Sequence, residues 1–161
     1  MTTAHHNVTP TAIGYDQDYA LWFVDQARLL RAGLWHQIDI AHLAEELEDT
    51  GKREQRALRS RTVVLLAHLL KYAYQPERRS PSWTGNIREQ RKQLNALLDD
   101  SPSLRPRFAA DIEDSYLSAR LLAAGETGLA ETQFPPHCPY LAEQILDEQF
   151  WPAAPTRQPG P

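Results

Sequence analysis

The stretch that decides the fold is "ALRSRTVVLLAHLLKYAY", residues 57–74. It contains Leu58, Val63, Val64, Leu65, Leu66, Ala67, Leu69, Leu70 and Tyr72, and no glycine or proline. The run is longer than an ordinary strand, and it is apolar on nearly every side of a helix. A helix of that kind is a central one, with other elements packed around it. Its longest unbroken apolar run, "VVLLAHLL" (63–70), falls far short of the ~20 residues that span a bilayer, so no membrane insertion is expected.

Upstream, "EDTGKREQR" (48–56) has no large apolar residue and has Gly51 in its middle. No proline intervenes, so the central helix is predicted to continue back to a start near Asp39, with Ile40, Leu43, Ala44 and Leu47 on its buried side. A first helix is predicted from about Asp16 to Arg31. Tyr19, Trp22, Phe23, Gln26 and Leu30 form its stripe, Arg28 and Arg31 suit its negative end, and Gly33 follows as a stop. Downstream, Pro76 cannot continue the central helix, and Ser80–Pro81 begins another that runs to about Leu98. Trp83, Ile87, Gln90, Leu94 and Leu97/Leu98 read as inward, and Arg88, Arg91 and Lys92 as largely outward. Ser101–Pro102 repeats the start signal, with Pro106 tightening or breaking it. The next helix is expected to reach about Ala124, with Phe108, Ile112, Tyr116, Leu117 and Leu121 inward. Residues 125–138 read as loop, and a last short helix begins at Pro139 with Leu141, Ile145 and Leu146. No segment alternates like a strand. The fold class is all-α: a helical bundle of about four main helices plus short C-terminal helical pieces. One helical domain is expected over residues 14–152. A flexible N-terminal tail (1–13) containing His5 and His6, and a disordered Pro-rich tail (153–161), flank it.

The net charge of −4 hides an uneven distribution. Residues 1–51 carry a balance of −6, residues 52–92 of +8, and residues 93–161 of −6. Either these segments neutralise one another on folding, or part of the basic segment faces a partner. The start of the chain lacks a basic run followed by an apolar stretch, and a single cysteine, Cys138, permits no intrachain disulfide. The expected location is the cytoplasm.

The sharpest electrostatic anomaly is "QPERRSPSW", residues 75–83. Arg78 and Arg79 sit just before a helix N-terminus, whose partial positive charge repels cations. Something must compensate them. One answer is a bridge to Glu45, Glu46 or Glu48. The other is an incoming anion held by Arg78, Arg79, Ser80, Trp83 and Arg88, with the orphan N–H groups of the first turn assisting. These five residues are the candidate ligand-binding set.

Other constellations point less firmly. His42, Glu45, Glu46 and Glu48 share helix faces and are the weak candidates for a metal, which would imply a metal-dependent hydrolase. They match only the Glu-x-x-Glu half of the pattern used by all-α nucleotide pyrophosphohydrolases. The expectation is a solvated acidic face with no cofactor. His68 reads as a hydrogen-bonded core histidine, and Cys138 beside His137 as inert. Arg53, Arg56, Arg59, Arg78, Arg79, Arg88, Arg91 and Lys92 could line nucleic-acid phosphates, but a pI near 5.8 argues against a dedicated nucleic-acid domain. No Gly-rich phosphate loop, G-x-S-x-G or H-E-x-x-H is present, so an enzyme is not the expected reading. The reading is a non-catalytic module that binds a protein partner or a small anion.

Several strings resemble a bacterial family catalogued as domain of unknown function twenty-nine. They are "YDQDYALWFVDQARLLRAG", "DIAHLAEELEDTGKREQRALRSR", "LLAHLLKYAYQPERRSPSW", "IREQRKQL", "DDSPSLRP", "ETGL" and "CPYLAEQILDEQFWP", which together cover about residues 15–152. The resemblance implies a small, helical, cytoplasmic protein. It supplies no activity and no catalytic residues.

Overall fold

A computed structural model describes residues 14–155. The expected N-terminal tail (1–13) and residues 156–161 of the expected C-terminal tail (153–161) lie outside the described residues. Six α-helices and no strand occur among the described residues: α1 (Tyr19–Arg31), α2 (Ile40–Tyr74), α3 (Pro81–Asp100), α4 (Arg105–Ala110), α5 (Ile112–Thr127) and α6 (Ala142–Leu146). The all-α reading holds. The chain divides into two compact units between Gly51 and Lys52, and α2 runs unbroken through that point.

The N-terminal unit is a helical hairpin. Asp18 caps α1 by accepting from the Leu21 N–H at 3.0 Å. Gly33, at φ 67°, makes the left-handed turn that ends it. Gln26 is buried and accepts from the Asp39 N–H at 2.8 Å, which fixes the loop leading into α2. The buried stripe of α1 is Trp22, Gln26 and Leu29. The predicted stripe was wider: Tyr19, Phe23 and Leu30 lie at its margin, partly exposed. A larger correction concerns α2, where Ile40 and Leu47, expected inside, are 69% and 68% exposed.

The C-terminal unit holds the main core. Leu65, Leu66, Leu69 and Leu70 of α2 are fully buried, with Ile87, Leu94 and Leu98 of α3 and Tyr116, Ala119 and Ala123 of α5. Ser80 caps α3 as its sequence implied, accepting from the Trp83 N–H at 3.3 Å, with Pro81 in the first turn. Ser101–Pro102 instead opens a 3₁₀ turn, Pro102–Leu104, ahead of the short α4. The start is thus tightened, and Asp111 interrupts the continuation before α5. Helix α5 also passes through Gly125 and stops at Thr127, where Gly128 at φ 73° caps it. Leu117 and Leu121 are exposed, not inward, because the packed side of α5 uses small residues: Ser115, Ala119 and Ala123. The last helix starts at Ala142, three residues later than expected.

Arg91 is the clearest reversal. Expected outward, it has no exposed surface. Its Nε donates to the Ile145 carbonyl at 2.9 Å and its Nη2 to the Gln144 carbonyl at 3.4 Å. Asn95 donates to the Leu146 carbonyl at 3.3 Å. These are the last carbonyls of α6, which have no partner within that helix and carry its partial negative charge. The guanidinium therefore docks α6 onto α3 without any carboxylate. Burial pushes its pKa down, and Asp147 and Glu148 act in the opposite direction.

Candidate functional site

The two arginines before α3 part company in the structure. Arg79 Nε donates to the Tyr72 carbonyl at 2.8 Å, and its guanidinium carbon lies 4.0 Å from the Tyr72 ring centroid. Tyr72 belongs to the last turn of α2, so the counter-charge is a helix C-terminus and a π-face. The electrostatic misfit at the start of α3 is real, and for Arg79 the negative end of the preceding helix resolves it. The Arg78 side chain is exposed and makes no hydrogen bond or ion pair with another described residue. Arg79→Ala is expected to cost about 1 kcal/mol in urea unfolding, whereas Arg78→Ala changes stability by less than about 0.5 kcal/mol. Equal losses from the two would contradict this division.

The other members of the set turn to separate partners. Ser80 is occupied as the cap. Trp83 is half-buried, with Lys71 Nζ 4.7 Å from its ring centroid. Arg88 lies 5.7 Å from the Trp151 ring, and Arg91 lies 5.6 Å from it. Tyr72 and Trp151 are themselves 5.1 Å apart. Arg79 and Arg88 are thus linked through a pair of aromatic rings. Trp151, five residues past the end of α6, was not readable as their partner, because only tertiary packing brings it to α3. Beside it, Gly85, Arg88, Glu89, Lys92, Glu148, Gln149 and Trp151 line a hollow of about 370 Å³ whose cations and carboxylates balance.

In the N-terminal unit, the acidic and imidazole groups form a hydrogen-bonded network. Glu46 is buried and accepts from the hydroxyls of Tyr15 at 2.6 Å and Tyr19 at 2.7 Å. Its bond and negative charge raise the Tyr15 pKa from 10.0 to about 12. The Tyr15 ring stacks on His42, with centroids 4.2 Å apart and planes within 9°. His42 Nδ1 is 2.7 Å from Asp39 Oδ2. Glu45 and Glu48 are exposed. Among the described residues, no three His, Cys, Asp or Glu side chains gather in a way that could hold a metal ion.

The Asp39–His42 pair gives a pH signature. The hydrogen bond to Asp39 raises the His42 pKa above 6.5, and the same bond lowers that of Asp39. The stability from His42 is complete below its unfolded pKa and is lost as pH rises through the higher folded value. That from Asp39 is present above its unfolded pKa and lost as pH falls through the lower folded value. The pair therefore contributes most between about pH 4 and about pH 6.5. An NMR titration is expected to place His42 above its usual midpoint, and Asp39→Asn to return it; a midpoint unmoved by that substitution would contradict the assignment.

An apolar groove was not foreseen as exposed. Leu30, Trp35, Ile38, Ile40, Leu43, Ala44 and Leu47, all in the N-terminal unit, line a space of about 260 Å³. Trp35 is 65% exposed. Of the large apolar side chains exposed among the described residues, all but Leu117, Leu121 and Leu141 belong to this unit. His68 is 2.9 Å from the Val64 carbonyl through Nδ1, and burial pushes the Cys138 thiol pKa up, away from the thiolate a nucleophile needs.

No helix among the described residues is long and apolar enough to cross a membrane. No curated protein and no solved structure matches the chain. The family described as domain of unknown function DUF29 matches over residues 14–151, which takes in both units and almost every described residue. The chain belongs to that family.

Proposed function

We propose that the protein is a non-catalytic docking module that engages a protein partner through the apolar groove of its N-terminal hairpin. The observation that carries this reading is the groove itself: Trp35, Ile40 and Leu47 are each about two-thirds exposed, around a lining without a charged residue. Apolar surface concentrated in this way marks an interaction site. Along α2 its spacing, Ile40, Leu43, Ala44, Leu47, is the one that receives the apolar face of a second helix. Exposed Glu45 and Glu48 adjoin it in sequence, and residues 1–51 carry a balance of −6. Charge complementarity therefore favours a partner helix flanked by lysine or arginine. A bacterial, cytoplasmic setting belongs to this reading, supported by the family resemblance.

The test is a titration with a synthetic amphipathic helix bearing leucine on one face and lysine at its flanks, read by Trp35 emission with Trp35→Phe as the blank. Saturable blue-shifting that is lost in Leu43→Glu/Leu47→Glu, with the helical circular dichroism retained, supports the reading. Equal binding by that variant, or by a glutamate-flanked peptide, overturns it. Emission that shifts with protein concentration alone assigns the groove to a second copy instead.

A second reading, anion binding at Arg78, Ser80, Trp83 and Arg88, is favoured only by the exposure of Arg78 and Arg88.

A further inference from the structure

The hollow beside Trp151 lies in the C-terminal unit, and the docking reading neither uses it nor depends on it. Gly85, Arg88, Glu89 and Lys92 of α3 and Glu148 and Trp151, which follow α6, surround about 370 Å³. That volume is at the small end of ligand pockets. The segment facing α3 is held from outside the hollow. Arg91 and Asn95 donate to the Gln144, Ile145 and Leu146 carbonyls, the Gln149 N–H donates to the Asp147 carboxylate at 2.8 Å, and the Trp151 ring packs on Tyr72. A space that is already formed costs little ordering to fill.

Charges of both signs line this space without meeting. The side chains of Arg88, Lys92 and Glu148 are exposed and make no hydrogen bond or ion pair with another described residue. Arg88 has only the Trp151 ring, 5.7 Å from its guanidinium carbon. Glu89 accepts from Gln93 at 2.8 Å and pairs with neither cation. Arg88 and Lys92 are four residues apart on α3, so their like charges share a face. Arg91 lies 5.6 Å from the same ring, and its Nη1 is buried without a hydrogen-bond partner. Three cationic side chains of α3 thus keep donors from which no described residue accepts. Gly85 fits the same picture. Glycine is unfavourable inside a helix, and a Cβ added here would meet no atom within 4 Å, so packing does not require it. A side chain at 85 would instead take up space in the hollow.

The lining restricts the ligand. A simple anion would face Glu89 and Glu148, and a simple cation would face Arg88 and Lys92. A molecule with one carboxylate and one ammonium suits both sets. The guanidinium fork matches paired carboxylate oxygens, and the half-buried Trp151 ring offers apolar contact to the ligand's carbon skeleton. We propose that this hollow binds a small zwitterion, its carboxylate on Arg88 and Lys92 and its ammonium on Glu148. The chemistry is shared by a free amino acid and by a short peptide.

The experiment is an NMR titration of the full chain, following the Arg88 Nε–H and Trp151 Nε1–H signals. The probes are L-leucine, leucyl-glycine, N-acetyl-leucine, which lacks the ammonium, and leucinamide, which lacks the carboxylate. Leucine or leucyl-glycine is expected to give a saturable shift, and the stronger of the two identifies the source as free amino acid or peptide. Loss of either charge should weaken binding by more than about tenfold, as should Arg88→Gln or Glu148→Gln. Gly85→Leu is expected to abolish binding while raising the melting temperature by about 3 °C, because leucine suits a helix better than glycine does. That combination separates a filled hollow from a damaged fold. Equal binding of N-acetyl-leucine or leucinamide overturns the proposal. So does undiminished binding in Arg88→Gln and Glu148→Gln, or the absence of a saturable shift with both leucine and leucyl-glycine.

Discussion

Arg91→Ala lowers the melting temperature by roughly 10 °C, the shift that about 3 kcal/mol produces in a chain of this size. The substitution has three consequences. It strips the Ile145 and Gln144 carbonyls of their donor, at about 1–3 kcal/mol for a buried acceptor left unpaired. It opens a cavity among Ile87, Leu94 and Leu98, which are fully buried on the same side of α3. Against these, it removes a charge that burial already disfavours. The first two outweigh the third, because the guanidinium lies against a helix C-terminus that partly replaces its lost hydration. Arg91→Met separates the contributions. It keeps most of the volume and loses only the carbonyl bonds, so its loss should be about 1 kcal/mol. Thermal and urea unfolding of both variants decide the matter: if Arg91→Met is as damaging as Arg91→Ala, packing is not the larger share.

The second large effect comes from a buried lysine, and its sign pattern is diagnostic. The Lys71 side chain is 8% exposed, while its partner Glu126, 2.5 Å away, is 42% exposed. Glu126→Gln leaves an ammonium group buried with only the Trp83 face, 4.7 Å from it, as a partial substitute. The expected cost is about 2 kcal/mol, below the usual figure for breaking a buried pair because water already screens Glu126. Lys71→Met removes the charge and keeps the stem, and should change stability by less than about 1 kcal/mol. The double variant should then match Lys71→Met alone, since the orphaned charge is gone. Removal of the exposed acid thus does more damage than removal of the buried base. Equal losses would show that the pair contributes mainly through mutual attraction.

Both cases show what the sequence disclosed and what it withheld. The continuity of α2 through Gly51 was legible because no proline interrupts residues 40–74. The Ser80 cap was legible because capping is local chemistry. Arg91 was in fact written into the pattern. Ile87, Arg91, Leu94 and Leu98 follow one another at spacings of four, three and four, so position 91 falls on the apolar stripe. Its charge argued outward and its phase argued inward, and the phase was the better guide. Leu117 and Leu121 misled in the opposite direction. Bulk suggested burial, yet α5 approaches its neighbours on Ala119 and Ala123, where small side chains permit close contact. Ile40 and Leu47 form a genuine helical stripe, but a stripe states only that a face is apolar. Whether another element covers it is not local information.

The same limit governed the candidate site. Of the two cations before the helix start, Arg79 finds a carbonyl in the last turn of α2 and the Arg78 side chain stays exposed. No spacing rule could say that the end of α2 would supply it to Arg79, or that Trp151 would come to lie beside Arg88. His68 was legible as a hydrogen-bonded core residue from its place in an apolar run, and it is buried with Nδ1 2.9 Å from the Val64 carbonyl.

The unbroken course of α2 has a kinetic corollary. A side chain at position 51 would enter open space, so packing does not demand the glycine there. Glycine inside a helix nonetheless gives up about 1 kcal/mol relative to alanine. The helix is therefore expected to open more readily around Thr50 to Lys52 than between Leu58 and Leu70, and the amide protons there to exchange sooner with deuterium from solvent.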